Sequence, residues 1–439
     1  MTRTLRMTRA LSIIIVPLTV FFAGLSFASD TSGAMSPDNL RKRASEKYSA
    51  LLNGISIVMT DRDVFWQIGM AADPMIDYCQ KTGSKEKCVE LGEKLLAAFN
   101  EKVNNGIQWW WDDLGWHGHP FVRLYEITKD EKYLNAANLC FTKMLAAKRA
   151  YDICTDPAKK NIEPKYSNGC FNSYVLAGDG DQNKGIENTV TNAQFLRLAL
   201  ALFNTAYNLY TENAKDIFHN REENRVIGER AKVYWAEAME QLKWFSDWFK
   251  DGLLNDSFFG TNHMLVEERV KRYKNGQEIP NSATNRYWLG DQGLVLWDYS
   301  FLHNIRKELS TNNPLALDLS IFDKDMESIA VGIAKGVKLL MHDDHWLLIP
   351  CQKAPGDDFP YGDDSDYSTG PAVYFSAMVN SARVNEKLKT KFRGDAYNFI
   401  IQNNALQAQQ RTDDVSGKNA FITVANDLAA LNAAIEFYH

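Results

Sequence analysis

Two adjacent carboxylates, Asp112 and Asp113, stand in a run of aromatic side chains, with Trp109, Trp110 and Trp111 before them and Trp116 after. Tryptophan offers a broad apolar face on which the C–H surface of a sugar ring can stack, and its N–H keeps a polar handle. Paired carboxyl groups are the acid, base and nucleophile of glycosidic cleavage. Neighbouring residues on an ideal helix point about 100° apart, so the two aspartates can share a site only at a turn or a helix start. Gly115, Gly118 and Pro120 supply such a break. A helix start lowers the pKa of the nearer carboxyl through its exposed N–H groups, while burial against tryptophan raises that of the other. That split separates a nucleophile from an acid. An aspartate pair at a helix start is also a common cap, and composition leaves both readings open.

Elsewhere the polar candidates are thinner. Asn188 and Asn192 are four apart and can share a helical face. His342-Asp343-Asp344-His345-Trp346 reads as a solvated loop end rather than a metal site, and Asp357-Asp358 and Asp363-Asp364 lack the spacing of a calcium loop. No metal is expected.

These residues must be positioned by helices. Apolar side chains recur at helical spacing, as in Leu196, Leu198, Ala199, Leu202, Phe203 and Ala206, or Ala231, Tyr234, Trp235, Ala238, Leu242 and Phe245. The pattern predicts about twelve helices, near 37–53, 62–80, 84–104, 116–127, 130–149, 186–211, 222–250, 289–307, 323–342, 367–387, 390–404 and 418–437. Strand runs are few. The gaps 150–185, 251–288 and 343–366 are rich in Gly, Asp, Asn and Pro, and loops of that length are usually functional. Helical hairpins with long loops between them suit a double-ringed helical toroid better than a bundle with short connections. No linker divides the chain, so residues 29–439 are expected to form one all-α domain.

The first residues pair Arg3, Arg6 and Arg9 with an apolar run from Leu11 to Leu25 and then Ser26-Phe27-Ala28. That is a signal peptide, 1–28, cut before Ser29, and it places the mature protein outside the cell or in a periplasm. No later segment reads as a membrane span, so no membrane association is expected after cleavage. The formal net charge is −6 and becomes more negative without the leader, which argues against a nucleic-acid partner. Six cysteines permit disulfides in an oxidising compartment. Short spacings favour Cys79 with Cys88 and Cys154 with Cys170, leaving Cys140 and Cys351 joined or free.

The stretch Trp111-Asp112-Asp113-Leu114-Gly115-Trp116, followed by Arg123-Leu124-Tyr125-Glu126-Ile127-Thr128-Lys129-Asp130-Glu131-Lys132-Tyr133-Leu134, resembles the aspartate-pair helix and following turn of glycoside hydrolase family 76, the endo-α-1,6-mannanases and their relatives. Trp66-Gln67 resembles the family's first-helix Trp-Gln, and Asn188 to Leu196 its central asparagine-bearing helix. Gly252-Leu253-Leu254-Asn255-Asp256 is similar to its Gly-Leu-Ile…Asp loop, and Tyr287 to Gly293 to its Tyr-Asn-Gln-Gly segment. The resemblance implies an (α/α)6 barrel, a retaining cleavage of α-mannosidic bonds with Asp112 as nucleophile and Asp113 as acid/base, and no cofactor. It further implies sugar contacts from Trp66, Gln67, Trp110, Trp111, Trp116, Asn188, Asn192, Asp256, Tyr287, Asp291, Gln292 and Asp366. An oligo- or polysaccharide is then the substrate, handled by a monomer.

Three segments depart from the family. Asn168-Gly169-Cys170-Phe171-Asn172 stands where Gly-Gly-Ile-Trp-Trp is usual, Gly290-Asp291 replaces Tyr-Asn, and His117-Gly118-His119-Pro120 interrupts an otherwise apolar helix. Rival readings are another chemistry on the same barrel (a uronyl hydrolase, a lyase or an epimerase) or an inactive glycan-binding barrel. An epimerase would want facing histidines, whereas His219, His263 and His303 share no motif. A uronate enzyme would want cations, and Arg286 is the main one in the suspected cleft segments.

Overall fold

The structure is a computed structural model that describes residues 31–438 except 60, 62–63, 105–109, 151–161, 164–165, 167–168, 174–185, 216–219, 257–262, 270–271, 275–276, 280–285, 321–325 and 354–365. The leader, Trp109, Cys154, His219 and the aspartates 357, 358, 363 and 364 lie outside the described residues. The helices are α1 (Thr31–Ala34), α2 (Pro37–Val58), α3 (Phe65–Thr82), α4 (Lys85–Asn104), α5 (Trp111–Thr128), α6 (Glu131–Ala150), α7 (Thr189–Asn213), α8 (Arg221–Gly252), α9 (Leu289–Thr311), α10 (Met326–Leu340), α11 (Gly370–Val384), α12 (Glu386–Phe392), α13 (Asp395–Gln410) and α14 (Lys418–Tyr438).

Their packing closes on itself. Helix α3 packs on α5, α5 on α7, α7 on α9, α9 on α11, α11 on α14, and α14 returns to α3. Around this inner ring lie α4 against α3 and α5, α6 against α5 and α7, α8 against α7, α10 against α9, α12 and α13 against α11 and α14, and α2 against α14 and α4. This is the (α/α)6 barrel that the helix pattern and the resemblance predict. The two rings differ in their sequences for a physical reason. An inner helix has neighbours on every side, and in α7 every residue from Thr189 to Phe203 is buried. An outer helix has one covered face: α8 buries Ala231, Tyr234, Trp235, Ala238, Leu242 and Phe245 while Lys232, Val233, Ala236, Glu240 and Lys243 face solvent.

Close crossings in the inner ring depend on absent side chains. A Cβ on Gly69 of α3 would meet the Trp116 backbone carbonyl carbon at 2.8 Å, and one on Gly115 of α5 would meet Gln194 Cβ at 2.5 Å. Helix α14 is the one described helix long and apolar enough to cross a membrane, contrary to the reading that no later segment qualifies. Its apolar window is 72% buried, because α14 is an inner staple of the barrel.

Helix ends and connections differ from the sequence reading in instructive ways. Helix α5 starts at Trp111 rather than 116 and runs straight through Pro120, since packing on both sides holds the turn that the proline weakens. The single helix expected over 390–404 is two, α12 and α13, separated at Arg393-Gly394. The long gaps hold short strands: β1 (Ile162–Glu163), β2 (Leu253–Asp256), β3 (His263–Val266), β4 (Arg272–Lys274), β5 (Gln277–Ile279), β6 (Arg286–Trp288) and β7 (Cys351–Lys353). They pair antiparallel as β1-β4-β5, β2-β3 and β6-β7, and so tie the loop after α6 to the loop after α8, and the start of α9 to the segment before α11.

The His117-Gly118-His119-Pro120 segment is core rather than an interruption. The His117 ring stacks on Phe65 at 4.1 Å, with Nε2 2.9 Å from the Phe65 carbonyl, and His119 Nδ1 lies 3.2 Å from Asp73. Cys79, Cys88, Cys140 and Cys170 are buried free thiols, and Cys351 is buried. Cys79, near the end of α3, and Cys88, in the first turns of α4, hydrogen-bond to each other, so the pairing expected from spacing is a spatial contact; Cys154 is not described.

Candidate active site

The first turns of the six inner helices meet at one end of the barrel. Trp66 and Gln67 belong to the first turn of α3, Asp112 and Asp113 to that of α5, Asn188 caps α7, Asp291 is in the first turn of α9, Asp366 leads into α11 and Lys418 opens α14. Hydrogen bonds join them across the ring. Gln67 Nε2 donates to Asp366 Oδ1 at 3.3 Å, Lys418 Nζ to the same oxygen at 2.9 Å, and Thr191 Oγ1 lies 3.5 Å from Asp112 Oδ1. Six helix N-termini, the positive ends of their dipoles, therefore face one carboxylate-rich mouth.

Trp110 is the N-cap of α5 in extended conformation, and Trp111 N–H is held by the Asn172 carbonyl at 2.8 Å. An antiparallel bridge from Trp110 to Ser173, and another from Phe171 to Glu187, lay the Gly169–Ser173 segment against the starts of α5 and α7. This fixes the pair at a helix start, the placement that lets neighbouring residues share a site. Asp113 reaches back to accept from the Trp110 backbone N–H, which is a capping contact. Capping and chemistry are thus not alternatives here, because the same first turn offers both.

Burial dominates the electrostatics of the pair. Asp112 is pushed up to about 7 by desolvation, with Asp366 adding to the rise, against the opposing pull of its own backbone N–H, Thr191 and Arg269. Asp113 is raised well above the usual carboxylate range by desolvation, then by Asp112 and Asp366. The expectation that the helix start would hold one carboxyl low is not met; removal from water outweighs the N–H groups. Both carboxyls therefore hold a proton more firmly than a solvated aspartate.

An aromatic wall lines the mouth. Trp66 and Trp116 stand 5.7 Å apart, Trp116 and Trp288 6.3 Å edge-on, and Trp288 and Tyr367 6.3 Å edge-on, with Trp288 Nε1 donating to the Tyr367 carbonyl at 3.0 Å. Trp66, Trp111 and Tyr287 are half-buried, Trp110 is exposed and Trp116 is buried. The sequence reading did not single out Trp288 or Tyr367, although Tyr367 directly follows Asp366 and Trp288 follows Tyr287.

Several of the residues expected to contact sugar have partners within the protein. Asn188 Oδ1 accepts from Thr191 N–H as the α7 cap. Asn192 is fully buried, bonded to Cys170 N–H and carbonyl, the Asn188 carbonyl and Gln241. Gln292 clamps both polar backbone atoms of Val266 and the Trp288 carbonyl. Asp291 is fully buried with neither oxygen hydrogen-bonded, and is raised well above its usual range by desolvation and Glu268. An amide or carboxyl already enclosed in this way supports the cleft from beneath. Gln67 is buried but touches Asp366, whose own side chain is 63% exposed and open to a ligand. Asp256 ends β2 opposite His263, and its side chain is not described.

The sequence reading missed the 267–269 corner. Glu268 pairs with Arg269 Nε at 3.0 Å and accepts from Tyr367 Oη at 2.6 Å, while its carbonyl accepts from Thr189 N–H at 2.7 Å; Arg269 forms an antiparallel bridge with Asn188. Its one advance signal was an acidic-basic triplet inside a long loop. The His342–Trp346 cluster is a tight turn: His342 stacks on Trp346 at 4.3 Å, and Asp343 Oδ1 accepts from His345 and Leu347 N–H. Among the described residues no group of three His, Cys, Asp or Glu side chains is arranged to hold a metal ion.

Neither a protein-family model nor a curated protein matches the chain by sequence. Solved structures do match. An inactive variant of the α-1,6-mannanase GH76A of Salegentibacter sp. HEL1_6, with two consecutive aspartates replaced by asparagine and α-1,6-mannotriose bound, covers 90% of this chain and 99% of its own at 15% identity and a TM-score of 0.55. A family 76 mannosidase of Bacteroides thetaiotaomicron covers 89% and 98% at 12% identity and a TM-score of 0.51. Dfg5 of Chaetomium thermophilum, in complex with glucosamine, covers 85% and 80% at 13% identity and a TM-score of 0.51. The chain has the (α/α)6-barrel fold that these glycoside hydrolase family 76 structures share.

Proposed function

We propose that this protein is an exported glycoside hydrolase of the family 76 kind, cleaving α-1,6-mannosidic bonds with retention through Asp112 and Asp113. The observation that carries the reading is the position of the pair: two consecutive aspartates, both raised by desolvation, in the first turn of an inner helix under a tryptophan wall. The Salegentibacter mannanase is inactive when its own consecutive aspartates become asparagines. In this mechanism Asp112 attacks the anomeric carbon as the glycosidic C–O bond breaks, and Asp113 gives its proton to the leaving oxygen. Asp113, now a carboxylate, takes a proton from water, whose oxygen displaces Asp112 and restores both groups. Retention requires the carboxyl groups to stand about 5 Å apart, a spacing open to neighbours at a helix start.

Incubation of the mature protein with α-1,6-mannan tests the reading. Wild type should release reducing ends and Asp112→Ala should not, and the oligosaccharide sizes distinguish endo from exo cleavage. Release by both proteins, or by neither, rejects it.

Export rests on the leader, and the Cys79–Cys88 contact is poised to oxidise once outside the cytoplasm. The intact mass of protein recovered from an exporting host should correspond to a chain beginning at Ser29 and lacking the two thiol hydrogens of that pair. A full-length, fully reduced mass contradicts both points.

A further inference from the structure

We propose that Trp346, with His342 and Phe399, forms a second glycan-binding site on the outer rim of the barrel, one that holds a neutral polysaccharide chain apart from the aspartate pair. The site goes beyond the catalytic reading and rests on it only for the glycan named in the test. Single exposed apolar side chains are ordinary on a protein surface, whereas a contiguous patch of rings marks a binding surface. The His342 ring stacks on Trp346 at 4.3 Å, both half-buried, and Trp346 lies 5.8 Å from the ring of Phe399, which is 50% exposed.

The turn that presents Trp346 is over-determined. Trp346 N–H donates to the Asp343 carbonyl at 3.0 Å, Asp343 N–H to the Leu347 carbonyl at 2.9 Å, and His342 Nδ1 to the Asp343 carbonyl at 2.9 Å. From α13, which carries Phe399, Asn403 and Asn404 donate to the carbonyls of His345 and Trp346 at 2.7 and 3.2 Å. Held in this way, Trp346 sits at φ 61°, left-handed backbone that favours glycine and costs a bulky residue stability. Strain that the surroundings enforce gathers at ligand sites. A stiff ring gives the C–H face of a sugar a place to stack, and the exposed Asp344 and His345 of the same turn offer hydrogen-bonding groups to its hydroxyls. The acidic turn and the net charge of −6 disfavour an anionic polymer. The platform is also tied to the mouth. Residues 347–350 lead from the turn to β7, where Cys351 lies opposite Trp288 of the aromatic wall, and the Pro350 carbonyl accepts from Leu289 N–H at 2.8 Å. From Trp346 to Cys351 the backbone reaches at most about 18 Å, so one polysaccharide chain can touch the platform and enter the mouth.

The test reads binding without cleavage. In the mature chain carrying Asp112→Ala, migration through native gels containing α-1,6-mannan is compared with migration through gels lacking polysaccharide. This parent should be retarded. Adding Trp346→Gly, which removes the ring and suits the left-handed backbone, should weaken the retardation by about two- to tenfold, the loss expected for one ring stack. Phe399→Ser, at an exposed position, should weaken it in the same direction and keeps the test open if Trp346→Gly does not fold. Retardation that stays unchanged in folded Trp346→Gly, or a parent that is retarded by neither α-1,6-mannan nor a neutral β-glucan or galactan, overturns the proposal. Retardation by β-glucan or galactan alone, lost with Trp346→Gly, would keep the site and reject mannan as its glycan. Retardation on mannan that depends on Trp346, in a protein whose form with Asp112 intact cleaves no mannan, would keep the site and reject the mannanase reading instead.

Discussion

Asp113→Asn should lower turnover of α-1,6-mannan by about 10²–10⁴-fold, the usual contribution of a positioned general acid, and should at the same time make the protein harder to unfold at neutral pH. Both effects follow from the burial of the pair. An unfolded aspartate ionises from about pH 4 upward, whereas folded Asp112 holds its proton to about 7 and Asp113 holds it beyond the usual range. The stability linked to these protons is therefore complete below about pH 4 and is lost as pH rises through the folded values. Asparagine has no such proton to lose. Thermal unfolding of wild type, Asp112→Asn and Asp113→Asn should coincide near pH 4 and diverge by pH 8, with the variants melting higher, on the order of 1–2 °C for each kcal/mol recovered in a chain of this length. An inactive variant that is also less stable at pH 8 would mean that the capping contact to Trp110, not the chemistry, is the main role of Asp113. Unchanged turnover would remove it from the mechanism altogether. A site that stores unfavourable protonation in this way is a known cost of function.

The large-scale fold was legible because barrel helices write their position into their period. The one-faced stripe of α8 and the near-continuous apolar run of α7 mark an outer and an inner helix before any coordinates are consulted. The start of α5 was not legible, since the residues that hold Trp110 and Trp111 in place, Asn172 and Ser173, lie some sixty positions away. The same holds for the polar wall. Asn188, Asn192 and Gln292 sit at the starts of α7 and α9, yet what the Asn192 and Gln292 amides bond to is decided by Cys170, Gln241 and Val266 on other segments. Arg269 was invisible for a related reason: it meets the cap of α7 at Asn188 across some eighty positions, and nothing in the spacing of a loop residue foretells that. Composition locates carboxylates and tryptophans, whereas the three-dimensional partners decide which are buried, which are spent and which remain open.

Asp73→Ala should destabilise the barrel by about 3–5 kcal/mol, the cost of leaving a buried counter-charge without its partner. Burial pushes Asp73 up, but Arg197 and the other groups around it outweigh that and hold its carboxyl below the usual range. Arg123 Nη1 is 2.8 Å from Oδ1 and Arg197 Nη2 is 3.1 Å from Oδ2, and His119, lowered to about 4 by desolvation, is neutral at working pH, so the arginines supply the charge there. Removing Asp73 leaves Arg123 its bond to Asp77 at 2.6 Å, while Arg197 keeps only the face of Trp297 at 4.7 Å and the nearby Asp298, which burial holds protonated. The loss should depend on pH in a definite direction. Because the folded pKa of Asp73 is depressed, its contribution is present above the unfolded value near pH 4 and disappears as pH falls through the folded one, so wild type and Asp73→Asn should converge in strong acid. The effect should also reach the mouth. Asp112, Trp116, His119 and Arg123 recur at helical spacing on α5, so the network that anchors Arg123 also fixes the rotation of the helix that carries the pair. Folded Asp73→Asn should accordingly show lower kcat on α-1,6-mannan with its stability partly kept, whereas wild-type turnover with full stability would mean that the network neither anchors the ring nor steers the site.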